Sequence, residues 1–339
     1  QSGQELWRST VFTAPLESMH DLNSYASGTP ATDGKLVYVA FLDPDGSEID
    51  AAMVRARAGK LRADNSGKPV SPGRMVVAAF DFDGKPRWLV RPGPYISVWG
   101  FCSCPVLFED MVILNGDHDG DAYLVALDRE TGATRWKVNR QHRIRSHSTP
   151  IIRYVDARIP LFMSGAHEIV SYNPRDGSEH WRINGPQGRA VASLVYDGSR
   201  LLVPCGYPSR QVWAVRPDGK ADVTNTHVEW HIQQACPYVP SPVVIDNYFL
   251  MVADNGVASC YNATSGEKLW IKRIGSGYSA SLVNAGRLVY FLSNDGDTTV
   301  VRAGQSFELI SENPLNEPSY ASPAISQGQI YLRGEKHLF

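Results

Sequence analysis

Five tryptophans, Trp88, Trp136, Trp181, Trp230 and Trp270, fall 48, 45, 49 and 40 residues apart. The stretches "ALDRETGATRW", "SYNPRDGSEHW" and "CYNATSGEKLW" share one layout: an apolar run, a turn led by Asp or Asn, and a strand carrying the tryptophan. In each, a glycine stands four residues before the indole: Gly132, Gly177 and Gly266. A sixth unit ends at "RAGQSFELI", with Phe307 in the tryptophan's place. A period of ~40 to 50 residues is that of a four-stranded unit that cannot bury both faces alone and must stack against copies of itself.

Each unit reads as strands. The opening strand is short and apolar, led in by Ser-Pro or a variant: "CSCPVLF", "HSTPIIRY", "VASLVYD", "PSPVVID", "SASLVNA", "ASPAISQ". A second apolar run follows ("MVILNG", "LLVPCG", "FLMVAD", "LVYFLS"), then a third ("AYLVALD", "GVASCYN"), the turn, and the tryptophan strand. Alternation, β-branched residues and regular turn signals predict an all-β chain. In the turn, the Asp or Asn side chain bonds its own backbone two residues on, and glycine takes the left-handed conformation that closes a bulged hairpin.

The ends complement each other. "QSGQELW" keeps the glycine-to-tryptophan spacing between Gly3 and Trp7 with no earlier strands before it. "YASPAISQGQIYLRGEKHLF" supplies opening strands with no tryptophan strand after them. The fold expected is therefore a seven-bladed β-propeller of four-stranded antiparallel blades, closed by the N-terminal strand completing the last blade. Residues preceding Gln1 would allow an eighth. The whole chain, 1–339, reads as a single domain with an insertion at 43–74 inside the first blade.

The net charge of −2 gives no electrostatic reason to expect nucleic acid or an anionic membrane as partner. No apolar run reaches the ~18 residues of a membrane span. The chain opens at Gln1 without a basic then apolar leader, so any export signal is expected to have been removed. Five cysteines are too few and too odd in number for a disulfide scaffold. Cys102 and Cys104 lie two apart, on one face if extended, a spacing that hints at metal or redox chemistry; buried structural thiols are the plainer expectation.

The D-x-x-T-G-x-x-x-W units and Ser-Pro opening strands resemble the PQQ-repeat propellers, a superfamily of quinoprotein dehydrogenases and of a lipoprotein of outer-membrane β-barrel assembly. The resemblance spans nearly the whole chain and implies the fold. It leaves function open, because its motif residues are structural and the superfamily mixes enzymes with scaffolds.

Function is sought where the repeat breaks. In the insertion, "EIDAAMVRARAGKLR" is expected to form a short helix with Ile49, Met53 and Leu61 inward and Arg55, Arg57, Lys60 and Arg62 outward. A lid or docking element is one reading; a decorated surface loop is the plainer one. Residues just before the inner strands would ring one mouth of the channel: Tyr25, Trp99, Phe101, Arg145, His147, Arg189, Tyr238, Tyr278 and Tyr320. Aromatic faces suit rings, and arginine offers a fork for carboxylates. Alternatively the aromatics plug the channel and the arginines bond carbonyls. "DHDGD", Asp117 to Asp121, lacks the spacing and final Glu of a calcium loop and reads as an Asp-Gly turn. His227 and His231 of "HVEWH" lie ~13 Å apart on a strand, too far to share one ion. No metal site is expected.

The favoured function is an exported scaffold, periplasmic or extracellular, binding a protein, peptide or glycan at the mouth or blade edges, without catalysis. A polysaccharide lyase is the alternative: Arg145 or Arg189 would neutralise a uronate, and His147 or a tyrosine would take the proton. A PQQ-dependent dehydrogenase is less favoured. The resemblance implies PQQ over a tryptophan, beneath a disulfide of adjacent cysteines, with calcium held by Glu, Asn and Asp. Here Ser103 separates Cys102 from Cys104, and no carboxylate set stands at the mouth, so no cofactor is expected.

Overall fold

The computed structural model describes residues 3–19, 23–49 and 69–339. Among them there is no helix; the strands form seven antiparallel-built sheets of the β-propeller type. The first comprises Ala31–Thr32, Leu36–Pro44, Gly73–Asp81 and Pro86–Tyr95. The second comprises Val106–Phe108, Met111–Gly116, Tyr123–Asp128 and Thr134–Asn139. The third includes Leu161–Gly165, Glu168–Tyr172 and Glu179–Asn184, to which Ala221–Asp222 adds in parallel. The fourth runs Val195–Tyr196, Leu201–Cys205, Gln211–Val215, Val228–Ile232. The fifth runs Val243–Ile245, Tyr248–Val252, Val257–Asn262, Lys268–Arg273, and the sixth Val283–Ala285, Leu288–Leu292, Asp297–Arg302, Glu308–Pro314. The seventh has two strands, Ala324–Ser326 and Gln329–Tyr331.

The turns close as their residues require. Asp128 Oδ1 accepts the amides of Glu130 and Thr131, and Gly132 N–H returns to Asp128 O at 2.9 Å with φ +74°. Asn262 repeats this with Thr264, Ser265 and Gly266. Four of the tryptophan strands pair through a bulge placed beside a small residue: Ala79 faces Trp88, Ala126 faces Trp136, Ala214 faces Trp230 and Cys260 faces Trp270. A small partner leaves room for the indole.

The indole then serves the next sheet. Trp88 Nε1 donates to Arg129 O, Trp136 to Pro174 O, Trp181 to Pro217 O, Trp230 to Thr264 O and Trp270 to Gly304 O, all at 2.9–3.1 Å. A Cβ on Gly132 would meet Trp88 at 2.7 Å, and one on Gly177 would meet Trp136 at 2.8 Å. The turn glycine is thus required twice, by its positive φ and by the tryptophan lying on it.

Residues 3–19 and 23–30 form no strand, which differs from the expected N-terminal closing strand. Trp7 nevertheless donates to Phe82 O at 2.7 Å and lies against Gly84, as the other tryptophans do with their turns. The helix expected within the insertion falls on residues outside those described, Glu48 and Ile49 excepted. The arms of the insertion pair antiparallel up to Pro44 and Gly73, and Ile49 and Val70 then exchange backbone hydrogen bonds of 3.0 and 2.9 Å.

The chain divides into two compact units: Gln1–Ile152 with Ile159–Leu161 and Tyr172–Glu179, and Arg153–Arg158 with Phe162–Ser171 and His180–Phe339. In the first, Tyr38, Met75, Val77, Val112, Leu114, Tyr123 and Leu127 form a buried core. In the second, Leu250, Val252, Cys260, Phe291 and Val301 do the same. In the second unit the serines of the opening strands are linked in series. Ser193 N–H donates to Ser241 Oγ, Ser241 N–H to Ser281 Oγ, and Ser281 N–H to Ser322 Oγ, at 2.9–3.1 Å.

Candidate functional site

The expected mouth residues fall in both units, and the geometry within each separates two kinds of arginine. In the first unit, "DHDGD" faces "RQHRIR" and the charges pair off. Asp117 takes Arg140 at 3.0 Å, Asp119 takes Arg145 at 2.9 Å through both carboxylate oxygens, and Asp121 takes Arg143 at 2.6 Å. The first two pairs are buried, where an unpaired ion would be costly and a paired one is tolerated. Asp117 N–H also bonds Asn115 Oδ1, so the loop is held as a turn whose carboxylates face guanidinium. Arg145 lies over the Trp99 ring at 5.8 Å.

The Arg145 guanidinium, expected as a fork for an incoming carboxylate or a uronate, has its Nη1 on both oxygens of Asp119. Phe101 lies in the core of the first unit. It is buried, packs edge-on against Tyr95 at 4.9 Å, and its amide donates to Glu17 Oε2 at 3.1 Å. Tyr25 is exposed, while Trp99 and His147 are half-buried. His118, between the aspartates, accepts from Ile96 N–H at Nδ1 and reaches Asp121 O through Nε2. Burial pushes its pKa down to about 4, so the ring is neutral near pH 7.

In the second unit, Tyr278 is 2% exposed, and its hydroxyl donates to Ile274 O at 3.3 Å; burial pushes it up to about 12. It packs in the core with Leu250, Val252, Phe291 and Val301. Tyr320 is exposed. Arg189 is different from Arg145. It is 6% exposed, its Nε is buried with no hydrogen-bond acceptor, and among the described residues no carboxylate lies within ion-pair distance. Its backbone is clamped: Arg189 N–H donates to Tyr207 O at 3.0 Å and Gly206 N–H donates back to Arg189 O at 2.9 Å. That places the guanidinium over the Tyr207 ring at 5.6 Å. Tyr238 stands 6.5 Å from Tyr207, its ring so close over Gly206 that a Cβ there would fall 1.8 Å from it. The nearby Asp254 is spent on the amides of Tyr238 and Val239. The second unit therefore presents a clamped buried cation beside one exposed and one half-buried tyrosine. Tyr207 was missed in the sequence because it follows the second strand of its blade, not the opening one.

The residues present do not fit PQQ with calcium. Cys102 and Cys104 are free thiols separated by Ser103, and Asp117 and Asp119 are held by arginines. Among the described residues no group of three His, Cys, Asp or Glu could hold a metal ion. His227 is buried beside Arg216 and Asp218, while His231 is exposed. No helix of the described residues is long and apolar enough to cross a membrane.

A curated relative, outer membrane protein assembly factor BamB of Yersinia pestis, is 22% identical over 329 residues, spanning 96% of this chain and 70% of its own length. Among solved structures, BamB from Moraxella catarrhalis superposes with a TM-score of 0.60 at 16% identity, covering 97% of this chain and 96% of that one. Saccharomyces cerevisiae Sqt1 superposes with a TM-score of 0.56 at 10% identity over 88% and 90% of the two chains. The two solved structures bear on the fold. The PQQ-repeat family profile described as outer membrane protein assembly factor BamB matches residues 1–230 and 184–306, and the chain belongs to that family.

Proposed function

We propose that this chain is a non-catalytic propeller scaffold of the periplasm that holds a protein partner during outer membrane protein assembly, and that Arg189, Tyr207 and Tyr238 form a contact point for that partner. Its membership in the assembly-factor family supports the scaffold reading. The observation that carries the contact point is the Arg189 guanidinium, buried without a carboxylate while Arg140 and Arg145 each have one. A buried charge left unpaired costs free energy that an incoming carboxylate recovers. Arg and Tyr are also the residues that most often anchor protein interfaces. A monoanionic carboxylate suits a single guanidinium, and the two rings supply apolar contact beside it. Neither the relatives nor the geometry supports a glycan ligand or a lyase, and the reading needs no cofactor.

The test places a photo-crosslinking amino acid at Tyr207 in cells of the source bacterium. The expected result is an adduct with a component of outer membrane protein assembly, lost when Arg189→Ala is added, with affinity down roughly tenfold to a hundredfold in vitro. No adduct at Tyr207, or one indifferent to Arg189→Ala, would overturn the contact point. Unchanged outer membrane protein levels after gene deletion would overturn the scaffold role.

A further inference from the structure

In the first unit one strap of chain covers two thiols. Cys102 Sγ lies 3.9 Å from Ser27 O, and Cys104 Sγ accepts the Thr29 amide at 3.3 Å. Between them, a Cβ on Gly28 would fall 2.7 Å from Ser103 O, so strap and cysteine loop are in close backbone contact. Asn23 Nδ2 ties the same strap to Trp99 O at 2.6 Å. Both thiols are half-buried and free, whereas Cys205, Cys236 and Cys260 are buried at distant points of the chain. Two residues apart along an extended chain, Cα atoms stand ~6.6 Å apart, at the upper end of the span a disulfide bridges.

We propose that Cys102 and Cys104 are an oxidisable dithiol, and that their disulfide loosens the strap that now caps them. Cys104 is the attacking thiol, because the Thr29 N–H is aimed at its sulfur and holds it in place. Cys102 is the resolving one; burial pushes its pKa up to about 12, with Cys104 adding to the shift. The oxidant is a disulfide, protein-borne or small, of the kind an oxidising compartment supplies. The Cys104 thiolate attacks one sulfur of the oxidant, forming a mixed disulfide and expelling one thiolate. Cys102 then loses its proton and attacks Cys104 Sγ, expelling the second. The net change is two protein thiols oxidised to one disulfide, one external disulfide reduced to two thiols, and both protons carried away by the leaving groups. With its sulfur drawn to Cys102, Cys104 no longer accepts from Thr29.

The experiment treats the folded full chain with oxidised glutathione, then unfolds and alkylates it. The expected product is lighter by two hydrogens, is alkylated only at Cys205, Cys236 and Cys260, and exchanges its Thr29 amide at least tenfold faster. Cys102→Ser should stall as the Cys104–glutathione adduct. Five alkylatable thiols, an adduct that also persists in the wild type, or a disulfide that leaves Thr29 exchange unchanged would each overturn the proposal. The result is independent of whether Tyr207 crosslinks a partner, so this proposal and the scaffold reading fail separately.

Discussion

At the scale of single residues, the molecule handles buried charge in two ways. Arg140 and Arg145 each carry their aspartate into the interior, 23 and 26 residues away in sequence. Arg189 carries none. The sequence shows the arginines but not this difference, because pairing across such separations has no local signal and solitude has none at all. Glu17 is a third case, a carboxyl 9% exposed that accepts the Phe101 amide. Burial raises its pKa from 4.5 to about 7, so the fold favours the protonated acid. Stability from this group is fully present below pH 4.5 and is lost as pH rises to about 7, then stays level. Glu17→Gln keeps an acceptor and removes the charge. Its urea-unfolding free energy should gain on the wild type from pH 4.5 to 7, by up to roughly 3 kcal/mol. A constant difference across that range would refute the assignment.

At the scale of elements, the hairpin was legible and its neighbour was not. The Asp-to-glycine turns and the strands around them follow from residue types alone, as Asp128 and Asn262 illustrate. What the spacing of Gly132 and Trp136 conceals is that Gly132 is roofed by Trp88, from the sheet before it. Gly34, with φ +84° and nothing within 4 Å of a Cβ, isolates the backbone contribution. Gly34→Ala should therefore cost about 1–2 kcal/mol, the ordinary left-handed penalty. Gly132→Ala should cost clearly more, since Trp88 must also move; equal losses in chemical denaturation would remove the indole from the account. The serine series was legible as a recurrence in "ASL", "PSP" and "ASP" but not as a set of bonds, because each hydroxyl serves the amide of another sheet.

At the scale of the whole molecule, the tryptophan intervals announced sheets of four strands, and seven sheets are present among the described residues. The mouth was legible as a list of positions and not as a surface, because burial of Phe101 and Tyr278 is decided by packing partners far along the chain. The border between the two compact units crosses the chain five times from Ile152 to His180. Neither unit is one contiguous stretch of chain. Calorimetry should accordingly show one unfolding transition with matching calorimetric and van't Hoff enthalpies; two resolved transitions would make the units independent. The lodging of each indole on the following turn has a further consequence, for descent. The piece that duplicates in such a lineage is not the piece that folds: a copied segment brings a tryptophan for the next turn's glycine and a glycine for the previous tryptophan. Gain or loss of one period therefore leaves each such junction matched, as at Gly132 under Trp88 and Gly177 under Trp136.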